Sequence, residues 1–449
     1  MEEKNEKKLS ILVFPWIAHG HVFPYLELSK NLSNKNFHIY FCSTAINLDS
    51  IKNSLHEGSS IQLVELQLPS FPDLPPHFHT TKNVPPKLMP RLFKAFQISK
   101  SSFTDIIDNL KPDLMIYDVF QPWAAKIALS MNIPAVHFAT TGAAAYSFGY
   151  HRFTAKDSTF PYPAMYFKDY ERKALQAEIG RIKINEDEKD GSFGHFKLSD
   201  DIVLMKTCRG IEGKYVDYLS VLCKKNVIPV GPLVTKSNNE EHGSEIVEWL
   251  SKKPHFSTVF ISFGSENYLS KDQMEEIAKG LELCDANFIW VVRSPVGETI
   301  NIHEVLPMGF HDRVKERGLI VQGWAPQAKI LAHKSVGAFV SHCGTSSIIE
   351  SFYFGVPVIA VPLKLDQPLN ARVVVETGAG VEVARDEDGN LRRDEFANAI
   401  NKVILEMSGK KLRLKAMELS ERMKNEEEGA VNEAAEQLLK LCMKCKQRS

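Results

Sequence analysis

Short runs that are apolar on both faces recur along this chain, separated by segments with helical spacing. LSILVFPW (9–16) precedes the helical HVFPYLELSKNL (21–32). FHIYFCST (37–44), IQLVELQL (61–68), LMIYDVF (114–120) and IPAVHFATT (133–141) follow, with a helix running to about 110 and another starting at Trp123. A strand buried on both faces belongs inside a parallel sheet covered by helices on either side. The pattern weakens over 150–200, where HRFTAKDSTFPYPAMYFKDYERK mixes aromatics with charge and KINEDEKDGSFGHFK is nearly all polar. A variable region with a mobile loop is expected there. The alternation then restarts with STVFISFGS, NFIWVVRS, GLIVQGWA, VGAFVSHCG and VPVIAVP, and the chain ends in long charged helices from about 394.

The expected fold class is therefore α/β, with two doubly wound parallel-sheet domains in tandem. A chain of 449 residues with 44% hydrophobic content suits two cores better than one. VIPVGPLVTKSNNEEHG (227–243) reads as a linker, and the expected division is 1–235, a linker at 236–246, a second domain at 247–430 and a last helix at 431–449 packing back on the first domain. Such sheets bind ligands beyond the carboxyl ends of their strands, and two facing domains make a cleft.

Composition narrows the function. Lys and Arg (54) balance Asp and Glu (55), so no broad charge draws the chain to nucleic acid or anionic lipid. MEEKNEKKLS has no apolar core of a signal peptide, and no run of about 18 apolar residues exists to span a membrane. The seven cysteines are odd in number and scattered, which fits reduced thiols in a cytoplasmic protein. Cys442 and Cys445 form a lone C-x-x-C, which cannot complete a tetrahedral zinc site and reads as thiols on a last helix.

The densest chemistry lies in SHCGTSSIIESFYFGVPVIAVPLKLDQPLN, Ser341 to Asn370. A strand ends at Gly344 and a helix begins at Thr345. The first amides of a helix lack internal partners and carry about half a positive charge. Ser346 and Ser347 add hydroxyls and His342 an imidazole, which makes either a phosphate site or a plain Ser/Thr-capped helix. Trp324, before Ala325, Pro326 and Gln327, is either core or a flat surface on which a base stacks. Glu350, one turn into the helix, suits a ribose diol, while the carboxylate of Asp366 and the amide of Gln367 suit a ring of hydroxyls. In the first half, FPWIAHGHVFPY holds His19 and His21 at a strand tip, with a helix starting near His21. A histidine titrating near neutrality is a natural base, or it is a loop residue. Asp118 ends another strand and Thr140 and Thr141 a third; each is a site residue or an ordinary strand-end group.

WAPQAKILAHKSVGAFVSHCGTSSIIESFYFGVPVIAVPLKLDQ (324–367) closely resembles the signature of plant family 1 UDP-sugar-dependent glycosyltransferases. FPWIAHGHVFPYLELSK, FCSTAINLDSI, LPPHFHTT and EGKYVDYLS are most similar to the subgroup that adds glucose to the sugar of a glycoside, such as triterpenoid, lignan or apocarotenoid glycosides. The resemblance implies a GT-B fold, with an acceptor domain first and a UDP-sugar domain second. It implies that Trp324 stacks on uracil, the Ala325 backbone reads the base edge, and Gln327 and Glu350 bind the ribose. His342, Gly344, Thr345, Ser346 and Ser347 would hold the diphosphate with Ser265, and Asp366 and Gln367 the glucose. His21 matches the family's base, and Asp118 the acid that orients it. Thr140 and Thr141 would touch the sugar or the acceptor.

One departure stands out. The family reads HCGWNS where this chain reads HCGTSS, so an indole is lost at Thr345 and an amide at Ser346. Ser346 is expected to reach the phosphate through water. The reaction implied is a single inverting displacement that yields a β-glucoside, with UDP-glucose as co-substrate and neither cofactor nor metal. Aromatics and prolines in FPDLPPHF, YSFGYHRF and FPYPAMYF are expected either to form an apolar acceptor pocket or to be lid core. A glycoside acceptor is expected, with direct glucosylation of an aglycone and a non-catalytic nucleotide-sugar-binding protein as rivals, and the protein is expected to be a monomer.

Overall fold

The computed structural model describes residues 8–56, 58–181, 193–235, 243–294, 296 and 305–447. Most of the polar loop anticipated around 183–197 and of the linker anticipated at 236–246 lies outside the described residues; the next helix begins at Ser244.

Two parallel sheets organise the chain. The first contains β1 (Ser10–Phe14), β2 (His38–Ser43), β3 (Ile61–Glu65), β4 (Leu114–Tyr117), β5 (Ala135–Ala139), β6 (Ile202–Met205) and β7 (Asn226–Pro229), in the order β3-β2-β1-β4-β5-β6-β7. The second contains β8 (Thr258–Ser262), β9 (Asn287–Val292), β10 (Gly318–Gln322), β11 (Val336–Ser341), β12 (Val358–Ala360) and β13 (Gly380–Glu382), in the order β10-β9-β8-β11-β12-β13. The central strands β1, β4, β8 and β11 are almost wholly buried, as their unbroken apolar runs require.

Strand order reverses between β1 and β4 in one sheet and between β8 and β11 in the other. At such a switch point the two connections leave in opposite directions and open a crevice at the carboxyl ends. Register places Phe14 beside Tyr117 and Ser262 beside Ser341, so the segments after these residues emerge as neighbours. Those segments carry His21 with Asp118, and Ser265 with His342.

Local boundaries differ from the sequence reading in three places, one of them the last helix, expected from 431 and beginning at Met407. The first helix is His19–Ser33, which starts ahead of the expected position near His21 and places His21 within its first turn. The helix anticipated up to 110 is two helices, Met89–Ile98 and Lys100–Leu110, meeting at Ser99, whose hydroxyl bonds back to the Phe96 carbonyl at 2.7 Å. By contrast, Ser270 caps the helix Lys271–Glu282 with a full capping box to Gln273.

The last helix, Met407–Lys446, has 40 residues and is about 60 Å long. Its first half buries Ala416, Leu419 and Met423 in the second domain, and its end buries Ala434, Leu438 and Leu441 against Ile11 and Val13 of the first. Across the cleft, Arg372 makes a buried bidentate pair with Glu171 at 2.8 and 2.9 Å and also bonds Glu382. Among the described residues no helix is long and apolar enough to cross a membrane. None of the seven cysteines forms a disulfide among the described residues, and Cys442 and Cys445 lie on the last helix.

Candidate active site

A cleft of about 720 Å³ opens between the two switch points, within the size range of small-molecule sites. Seven of the residues singled out from sequence line it together: Ser265, Trp324, Ala325, Gln327, Ser346, Ser347 and Glu350. Trp324 is 57% exposed, which removes the core reading of its ring. An exposed indole at a cleft wall has a flat face of the kind on which a base can stack. The Ala325 carbonyl accepts from Gln327 N–H at 2.9 Å and keeps a second lone pair, and its own N–H has no backbone partner among the described residues.

Glycines shape the phosphate end. Gly344 caps the helix Thr345–Tyr353, whose first bond runs from Ile348 N–H to the Gly344 carbonyl at 3.1 Å. The amides of Thr345, Ser346 and Ser347 therefore precede the ladder and are available to an anion. His342 is 7% exposed and packs between Gly264 and Gly344, off the cleft wall. A Cβ at Gly264 would lie 2.8 Å from the imidazole Cε1, and Gly264 has φ +79°. Burial first, then Lys364, pushes the His342 imidazole down to about 4. It is therefore a neutral imidazole at pH 7, not a cation, and its Nδ1 has no partner among the described residues. Cys343, with φ 65°, and Leu365, with φ 55°, hold left-handed backbone in the two loops that frame this end. Strain of that kind gathers where geometry serves a ligand.

The acids of the cleft are in different states of commitment. Glu350 accepts from Gln327 Nε2, so these two residues bond each other, and burial raises the Glu350 carboxyl. Asp366, also raised by burial, accepts from Asn370 Nδ2 at 3.0 Å. Asn370 was missed in the sequence, because an amide inside an apolar helix reads as a packed side chain. Its Nδ2 also reaches the Cys343 carbonyl at 3.0 Å and Thr345 Oγ1 at 3.3 Å, tying both loops together. Gln367 accepts from the Leu363 and Lys364 amides at 3.0 Å each, which spends its carbonyl on the turn and leaves its NH₂ for a ligand. Thr345, in the position of the lost indole, accepts from Gly142 N–H at 3.2 Å across the cleft.

Next to the lining residues His19 and Gly20, His21 Nδ1 lies 2.7 Å from Asp118 Oδ2, and neither His21 nor Asp118 lines the cleft itself. Asp118 is 1% exposed and also accepts from Trp16 N–H at 3.3 Å, so its carboxylate is held by backbone. Thr140 Oγ1 is 3.2 Å from the same His21 nitrogen, which makes it a neighbour of the imidazole; Thr141 follows, partly buried. Burial alone would lower the His21 pKa. The charge and hydrogen bond of Asp118, with Glu266 and Asp366 at longer range, outweigh it and hold the imidazole above its ordinary value. Because Nδ1 faces Asp118, it carries the proton, and Nε2 has the free lone pair. His19, on the cleft wall, is pushed down to about 4 by burial and by Lys82 and Arg293.

The aromatic segments divide. Phe148, Tyr150 and Phe160 belong to a buried cluster with Leu369 and Val373, so that part of the anticipated acceptor pocket is core. Phe120, Trp16 and Phe93 instead form a wall beside the base, with Phe120 5.8 Å from the His21 ring and 5.1 Å from Trp16.

Comparison with known proteins agrees with this geometry. A family profile described as "Glycosyltransferase, N-terminal domain" matches residues 7–235, and one described as "UDP-glucoronosyl and UDP-glucosyl transferase" matches residues 217–427. Mogroside IIIx synthase of Siraitia grosvenorii is 49% identical over 96% of this chain and 98% of its own. Beta-D-glucosyl crocetin beta-1,6-glucosyltransferase of Gardenia jasminoides is 46% identical over 97% of this chain and 100% of its own. Flavanone 7-O-glucoside 2''-O-beta-L-rhamnosyltransferase of Citrus maxima is 45% identical over 99% and 100%. Among solved structures, a UDP-glucosyltransferase from Polygonum tinctorium superposes with a TM-score of 0.77 at 27% identity, over 96% of this chain and 98% of that one. With one profile covering each half and relatives matched over nearly the full length, this chain belongs to the UDP-glucoronosyl and UDP-glucosyl transferase family and is a glycosyltransferase of GT-B fold.

Proposed function

We propose that this enzyme is an inverting glucosyltransferase that moves glucose from UDP-glucose to a sugar hydroxyl of a small lipophilic glycoside. The observation that carries the proposal is the His21–Asp118 pair at 2.7 Å, near enough to Asp366 of the opposite wall to feel its charge. Residues 1–235 then hold the acceptor and 247–430 the donor.

In this reading Trp324 stacks on uracil, the Ala325 amide reads its edge, and Gln327 with Glu350 binds the ribose. Ser265, Ser347 and the amides of Thr345 and Ser346 hold the diphosphate, with neutral His342 donating an N–H. Asp366 and the NH₂ of Gln367 take glucose hydroxyls. The raised carboxyls of Glu350 and Asp366 fit this role, since buried acids short of donors gain most from ligand hydroxyls. Nε2 of His21 takes the proton of the acceptor hydroxyl, and Asp118 stabilises the imidazolium that forms. The acceptor oxygen bonds to the anomeric carbon from the face opposite UDP. The bond from that carbon to the phosphate oxygen breaks, and UDP leaves with the electron pair toward the helix N-terminus. The product is a β-glucoside.

Two of these relatives act, by name, on compounds that already carry a glucosyl group, the crocetin and flavanone enzymes, which supports a glycoside acceptor here. The rhamnosyl donor of the Citrus enzyme shows that the transferred sugar varies at this level of identity. Glucose is favoured for this chain by Gln367 at the end of the signature. The lipophilic part of the acceptor would lie on Trp16, Phe93 and Phe120.

The test is transfer from UDP-α-glucose to a monoglucoside, with the anomeric configuration of the new bond read by proton NMR. A β linkage is expected, together with a loss of about 100- to 10,000-fold in rate for His21→Gln. An α linkage, or full activity in the variant, would overturn the mechanism.

A further inference from the structure

Lys206 is the residue immediately after β6, in the first domain. Only 4% of it is exposed. Its Nζ crosses to the second domain and donates to Ser346 Oγ at 2.8 Å. Among the described residues no carboxylate forms an ion pair with it; Glu350 and Glu27 act on it only at longer range. Burial pushes its ammonium down to about 8, so it remains largely charged at pH 7. A buried charge without a counter-ion is costly unless something supplies one.

What surrounds it says what that is. Lys206 lines the cleft with Ser265, Arg293, Ser346 and Ser347, and the guanidinium Nε of Arg293 is buried without a hydrogen-bond partner among the described residues. The first turn of the helix Thr345–Tyr353 points its free amides into the same space. Donors and cations therefore converge from both domains on one volume. An anion of the size of a diphosphate satisfies them all.

We infer that Lys206 is a diphosphate-binding residue contributed by the first domain, clamping the donor's phosphates against the helix N-terminus of the second. The inference rests on the UDP-sugar reading of the cleft. It also accounts for the HCGTSS sequence. A serine at 346 is too short to reach where an asparagine would, and the lysine that bonds it reaches across the cleft instead. Binding of UDP then ties the two domains through one ligand.

The experiment is calorimetric titration of UDP and of uridine into the wild type, Lys206→Met, Lys206→Gln and Lys206→Arg, with the unfolding temperature of each ligand-free protein. Loss of a charged hydrogen bond is expected to weaken UDP by about 10- to 100-fold in the Met and Gln variants. Uridine should bind as before, the Arg variant should recover most of the loss, and no ligand-free variant should melt lower than wild type. Unchanged UDP affinity in the neutral variants would overturn the inference. So would an equal loss for uridine, which would make Lys206 a structural tie. A wild type that binds neither compound would instead refute the UDP-sugar reading beneath it.

Discussion

Asp118→Asn isolates the electrostatic part of the proposed base. The change keeps the shape of a side chain that is 1% exposed, and one amide atom can still meet His21 at about the present separation of 2.7 Å. Two things are lost. Trp16 N–H and His21 Nδ1 both meet Oδ2, so an amide with its oxygen there leaves its NH₂ buried at the Oδ1 position, which has no partner among the described residues, and the flipped amide presents NH₂ to the imidazole and favours the wrong tautomer. The imidazolium also loses its counter-charge in a buried site. In a well-studied orienting acid the same swap costs about 10,000-fold in kcat. We expect about 1,000- to 10,000-fold here, since Thr140 still contacts the ring at 3.2 Å and retains part of its orientation. That corresponds to about 4–5.5 kcal/mol on the barrier.

The pH profile gives an independent sign. The base works neutral, and Asp118 raises its pKa, so wild-type kcat/KM falls as pH drops through a value above the ordinary histidine range. Removing the charge lets burial dominate, and the acid limb moves to lower pH. The assay is glucosyl transfer followed by UDP release between about pH 5 and 9, with UDP affinity measured beside it. A variant within a few-fold of wild type, with its acid limb in place, would refute the pairing of His21 and Asp118 as the catalytic unit.

Three further outcomes follow from the geometry. Trp324→Ala should weaken UDP by about 1–3 kcal/mol of stacking, read by titration, while the unfolding temperature stays close to wild type because the ring is 57% exposed. Gly264→Ala places a Cβ 2.8 Å from His342 at φ +79°, so stability should fall by about 1–3 kcal/mol in denaturant unfolding and UDP affinity should fall with it. Arg372→Met leaves Glu171, which is 4% exposed, without its cation, while Glu382 keeps Lys168 at 2.9 Å, and should cost about 3–5 kcal/mol in the same assay.

The architecture was legible because its strands are apolar throughout and its helices are not, so parallel sheets were the one economical reading. The strand tips followed, and with them the first turn at Thr345. The cleft's cross-domain contacts were not legible. Lys206 follows a buried strand in chain order, and nothing local says that its ammonium points inward to Ser346 rather than to water. Glu212 reads as one more acid on a helix, yet it caps the helix Ala143–Thr154 through the Ala143 and Ala144 amides at 3.0 and 2.8 Å, and so fixes Gly142 against Thr345. The Phe and Tyr run after 142 matched core and pocket equally well, because an aromatic suits both. Only its packing against Leu369 and Val373 separates them. His21 and Asp118 stood out through family likeness more than through spacing, since 97 residues separate them.

The claim that matters most is that the acceptor is a sugar already attached to something lipophilic. The direct measurement is a paired assay with UDP-glucose, using flavonoid and triterpenoid aglycones each beside its monoglucoside, with products followed by mass. Glucose added to the monoglucosides and not to the bare aglycones is the predicted result. Glucose added to the aglycones, with the monoglucosides left untouched, would contradict it.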